Sequence, residues 1–188
     1  ALRQAADPGA AQLHPSEYYN YGVQAENLEA PGLAVELFRK AYEYSGGDPD
    51  YGRAYAQTLA RVGRIDEAEE VFDALIQSYP RHAHAHAYYI DALRMANRYE
   101  KAQHLYEHAD ESVKKAPIVL REMASLYEDM GEYEKGLQFA EDALEKTPAD
   151  VVANGLVSRL RFALGDFAGA ERAARQAVAS ATMSTPVG

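Results

Sequence analysis

PDYGRAYAQTLARVGRIDEAEEVFDALIQSYP, residues 49–80, reads as two amphipathic helices joined by a turn. In the first helix Tyr55, Ala56 and Leu59 share one stripe, and Gly52 lets a neighbouring backbone come close. Gly63 ends it, because glycine enters the left-handed C-cap conformation without a Cβ penalty. In the second helix Ala68, Val71, Phe72, Leu75 and Ile76 recur with helical period. Pro80 has no N–H to give to a further turn and closes the unit.

The unit recurs at a step of 34 residues. The turn column is Glu29, Gly63, Asn97, Gly131 and Gly165. A small-residue column runs through Ala34, Ala68, Ala102, Gly136 and Ala170, and a third through Phe38, Phe72, Tyr106, Ala140 and Ala174. Three columns stay in register over five copies without an insertion. The chain therefore resembles the tetratricopeptide repeat family, whose unit is a helix–turn–helix of this period. That resemblance implies an all-α solenoid, a right-handed superhelix of antiparallel helix pairs, acting as an interaction scaffold.

The expected organisation is a flexible lead-in over 1–14, one array over 15–184 and a tail over 185–188. The repeats fall at about 15–48, 49–82, 83–116, 117–150 and 151–184. Pro31 is placed to open a helix, and Asp48 to cap the one that begins at Pro49. The third repeat has Lys114 where the second and fourth close on Pro80 and Pro148. In the fifth, Arg161 replaces Leu59, Leu93 and Tyr127 of its column, and Ala170, Ala173, Ala174 and Ala177 fill the columns expected to be buried. No polar capping helix is readable in 180–188, so self-association through the terminal repeats is the alternative to a peptide-binding adaptor.

A net charge of −10 argues against a nucleic-acid partner. No apolar run reaches the roughly 20 residues of a membrane helix, so no direct insertion is expected. Cysteine is absent, which removes thiol nucleophiles and disulfides and suits the cytosol and an exported location alike. The first residue is Ala1, and no signal peptide is visible.

On a helical wheel the first helices turn a second set of columns away from the repeat core. In tetratricopeptide arrays this face lines a groove that holds a peptide. The columns give Tyr19, Arg53, Gln57, Arg61, Asp91, Arg94, Arg121, Ser125, Glu128 and Arg159 as the partner-binding groove. Five arginines and no lysine stand there, which suits a bidentate grip on an acidic segment. The alternative is that Asp91, Glu128 and Asp129 pair with these arginines between adjacent helices. The lysine- and asparagine-based clamp of some family members is not supported, because Tyr19 and Val23 stand in its first columns. His104-Leu105-Tyr106-Glu107-His108 matches the H-x-x-E-H form of a zinc peptidase. Its polar residues face outward, with no third ligand or walled cleft apparent. No catalytic residue, cofactor or metal site is therefore assigned.

Overall fold

The computed structural model describes Leu2 and residues 12–183, so most of the expected lead-in and all of the tail lie outside the described residues. Eleven α-helices and no strand are found among the described residues. They are α1 (Pro15–Asn27), α2 (Pro31–Tyr44), α3 (Pro49–Arg61), α4 (Ile65–Ser78), α5 (Ala83–Met95) and α6 (Tyr99–Glu107). These are followed by α7 (Glu111–Lys114), α8 (Pro117–Asp129), α9 (Tyr133–Lys146), α10 (Val151–Ala163) and α11 (Phe167–Met183). The chain divides into two compact units, residues 1–92 and 93–188, with the division falling inside α5.

Proline starts α1, α2, α3 and α8, where its missing N–H costs nothing. Asp48 caps α3 by accepting from the backbone N–H groups of Asp50 and Tyr51, and Asp150 does the same for α10 from Val152 and Ala153. All five residues of the turn column are left-handed: Glu29 at φ 52°, Asn97 at 56°, and Gly63, Gly131 and Gly165 at 76–82°. Each turn closes identically, as in the hydrogen bonds from Ala30 N to Ala25 O and from Arg64 N to Leu59 O, both 2.9 Å. The 34-residue step is thus a backbone constraint, obeyed even where the residue is not glycine.

In the first unit Tyr18, Leu37, Phe38, Leu59, Phe72, Leu75, Tyr89 and Ile90 are fully buried. The second helix of one repeat packs on the first helix of the next: Phe72 stacks on Tyr89 with ring centroids 5.0 Å apart. Gly52 makes room for side chains rather than for backbone. A Cβ there would lie 2.7 Å from Leu75 and 2.8 Å from the Tyr42 ring. In the second unit Ala124, Ala140, Leu156, Val157, Leu160 and Ala173 form one core cluster, with Tyr133, Leu137, Phe139 and Leu144 against it.

Two expectations need correction. Ala174 is exposed, because no described helix covers the face of α11 that α10 does not. Ala60, which shares the outer column of Arg94 and Glu128, is buried at 6% exposure. One break was not expected. The second helix of the third repeat ends at Glu107, and Asp110 caps the short α7 by accepting from Ser112 N at 2.8 Å. Asp110 occupies the column of Tyr42, Ile76 and Leu144, where a carboxylate has no apolar contact to gain and favours a cap.

His86 is buried on α5 at 2% exposure, and its Nδ1 lies 3.2 Å from the His82 carbonyl. The His82 ring accepts from Ala85 N–H at 3.2 Å. Burial pushes both imidazoles below their ordinary value of 6.5, against the opposing pull of Asp50 on His82. The fold therefore favours the neutral form of both. Their contribution to stability is complete above the unfolded value and is lost as pH falls through the lowered folded values.

Two outcomes are expected. Glu29→Gly raises stability by about 0.5–1 kcal/mol in denaturant titration by releasing a left-handed L-residue, whereas Gly63→Ala lowers it by about 1 kcal/mol. An added Cβ at Gly63 meets nothing within 4 Å, so that cost is purely conformational. Second, the thermal midpoint falls between about pH 7.5 and about pH 5, and His86→Leu, the residue type of Leu120 in the same column, reduces the fall. An unchanged pH dependence in that variant refutes the assignment to His86.

Candidate partner-binding face

The outer columns of the first helices carry mostly polar side chains, and the two units arrange them differently in detail. In the first unit Tyr19 is wedged between Tyr51 and Phe38, at centroid distances of 5.3 and 5.4 Å, so its ring belongs to the packing. Glu26 Oε1 on α1 accepts from the Thr58 hydroxyl at 3.0 Å and from Arg61 Nη1 at 2.8 Å on α3. A cleft of about 450 Å³ opens beside this network, lined by Glu26, Glu29, Pro31, Thr58, Arg61 and Val62.

Arg53 behaves differently from Arg61. Its guanidinium lies over the Tyr88 ring at 4.9 Å, and Nη1 donates to Gln57 Oε1 at 3.3 Å. Its Nε is buried with no acceptor. Asp91 is half-buried on α5 and has contacts of its own.

In the second unit the arginines meet carboxylates. Arg94 Nη1 donates to Asp129 Oδ2 at 2.6 Å. Arg159 grips Glu128 through Nε and Nη2, both at 2.8 Å, and these bonds raise the arginine's pKa. Arg121 reaches Asp150 at 3.3 Å and Glu122 at 3.5 Å. The Ser125 hydroxyl donates back to the Arg121 carbonyl at 3.3 Å. Ion pairing between adjacent first helices therefore accounts for Glu128 and Asp129 as the alternative reading expected.

Two of these pairs occupy the same two columns with opposite polarity. Glu26 meets Arg61, and Arg94 meets Asp129, each 35 residues on. The first column ends at Phe162, which is 64% exposed and edge-on to Phe167 at 5.3 Å. The sequence reading missed Tyr88 as the platform under Arg53 and Asp150 as the counter-charge of Arg121. Asp150 also caps α10.

On α6 the rings of His104 and His108 stack at 3.9 Å, and His108 Nδ1 bonds the His104 carbonyl at 2.9 Å. Among the described residues no three histidine, aspartate or glutamate side chains converge into a metal-holding group. No described helix is long and apolar enough to cross a membrane.

Solved structures share the fold. A thermophilic TPR protein of Thermus thermophilus superposes with a TM-score of 0.75 at 19% identity, over 90% of this chain and 93% of that one. MamA from residue 41 to its end, from Desulfovibrio magneticus RS-1, gives 0.63 at 16% identity over 93% and 99%. A tetratricopeptide repeat protein from Parabacteroides merdae ATCC 43184 gives 0.67 at 16% identity over 88% and 65%. No curated protein matches the chain in sequence. The tetratricopeptide repeat signature matches residues 28–89 and again 63–126, together more than half of the 188 residues. With the left-handed turns and helix pairs at the family's spacing, this chain belongs to the tetratricopeptide repeat family.

Proposed function

We propose that the chain is a non-catalytic interaction scaffold that takes a peptide or partner-protein segment on the first-helix face of its repeats. One observation carries this reading. The outer columns hold polar side chains in fixed positions, through hydrogen bonds that reach from one first helix to the next, yet leave them open to a partner. Glu26 with Thr58 and Arg61, and Glu128 with Arg159, are the examples. Side chains ordered before binding lose less entropy when a partner arrives. An acidic segment fits the first unit better than the second, where Arg94, Arg121 and Arg159 already have counter-charges.

The face is tested with peptides selected from a display library on the purified chain. Gln57→Lys and Ser125→Lys together put long side chains on the face without removing a charge pair, and binding falls sharply. Arg39→Glu and Arg172→Glu, on second helices, leave it unchanged. Loss in the second pair and none in the first would place the binding surface elsewhere.

A second reading rests on α11, where Phe167 and Val178 are 64% and 65% exposed and Ala174 lies between them. By the repeat register, α1 offers Glu17, Asn20 and Gln24 beside Tyr21 in the columns that receive a preceding repeat, so three of these four positions are polar. Self-association would then join α11 to α11 of a second copy rather than head to tail. Ala173 sits in the core at 8% exposure and is no place for a test charge. Sedimentation velocity from micromolar to millimolar protein shows association that Ala174→Glu with Val178→Glu abolishes. A concentration-independent monomer rules this reading out.

A further inference from the structure

Among the five arginines of the outer columns, Arg61, Arg94, Arg121 and Arg159 each have a carboxylate within 3.3 Å. Arg53 has none among the described residues. Its contacts are the neutral amide of Gln57 and the face of Tyr88. Asp50, one turn before it on α3, is directed at His82, with Oδ1 3.8 Å from Nε2. Arg53 is nevertheless half-buried, with Nε wholly removed from solvent and no acceptor. A cation drawn partly out of water receives in return only the Gln57 amide and the Tyr88 face, and no counter-charge.

Arg53 is also held in place. The Tyr88 ring supports one side of the guanidinium plane, and Gln57 Oε1 fixes Nη1. The entropy of ordering a long side chain is thus spent before any ligand arrives, and the donors keep a fixed direction.

We propose that Arg53 is the carboxylate anchor of the first unit: an Asp or Glu side chain of the bound segment completes the ion pair the fold leaves unmade. This rests on the reading of the first-helix face as the binding surface. A single cation midway along α3 suits a side chain of a segment passing over it. A terminal carboxylate, where the segment itself ends, calls for several converging donors that close the site, which the surroundings of Arg53 do not supply.

The experiment uses display selection of peptides on the wild-type chain, followed by synthesis of the selected peptide with both termini blocked. Selection fixes an acidic residue at one position. Changing that residue to its amide weakens binding about tenfold, the range of one charge-assisted hydrogen bond. Arg53→Gln weakens the parent peptide equally, and the two changes together cost no more than either alone. Arg53→Lys, which keeps charge but loses the planar fork, falls between. Far-ultraviolet circular dichroism and melting confirm that each variant is folded.

If Arg53→Gln binds the parent peptide unchanged, Arg53 is only a packing residue on Tyr88 and the proposal fails while the scaffold reading stands. If binding requires a free C-terminus and ignores the acidic side chain, the assignment to a side chain is wrong. If no peptide is retained by either chain, the face itself is misassigned and the proposal falls with it.

Discussion

A helix pair of this kind cannot bury its own second-helix face, and everything else in the structure follows from that deficit. Tyr42 meets Tyr55 and Phe72 meets Tyr89 because each second helix needs the first helix of the next repeat as its cover. In the second unit Ala143 and Leu144 reach Ala153 in the same way. The positions on α11 that correspond to Tyr42 and Phe72 are Val178 and Ala174, and both are exposed. Their exposure is the same rule seen where no described helix supplies the cover.

Most of this was legible from spacing. The turn column could be read because a left-handed residue at a fixed step is a backbone requirement, and backbone requirements repeat whatever the side chain. That is why Glu29 and Asn97 obey it at φ 52° and 56°. The break between α6 and α7 was not legible. The period of Tyr99, Ala102, Leu105 and Tyr106 continues to Ala109, and only the carboxylate of Asp110 turns the helix into a cap. Ala174 was misread because a column places a residue toward a neighbour and says nothing of whether that neighbour exists.

The first-helix face was legible as a set of columns but not as a set of ion pairs. Column arithmetic put Arg61, Arg94 and Arg159 outside the repeat core, and none of the three is buried. Which carboxylate each would meet depends on one helical turn. Arg61 and Arg94 pair across a separation of 35 residues, whereas Arg159 pairs across 31. Side chains of six or seven bonds can make either choice, and periodicity does not distinguish them. Tyr88 escaped notice for a different reason: it stands in none of the columns singled out for core or outer face, yet its ring supports a cation.

The energies separate what holds the repeats together from what decorates them. Glu26–Arg61, Arg94–Asp129 and Glu128–Arg159 each keep one partner at least 39% exposed. Exposed pairs of this kind contribute about 0–1 kcal/mol. Burying one aromatic or leucine side chain between repeats contributes roughly 1.5–3 kcal/mol, and several do so at each junction. The ion pairs are therefore not what fixes the repeat geometry. This explains how the same two columns tolerate Glu–Arg in one place and Arg–Asp in another while the turns and buried columns keep their register. A face whose charges can be inverted at little cost to the fold can differ from repeat to repeat. The apolar junctions hold it still while its pattern of paired and unpaired charges varies.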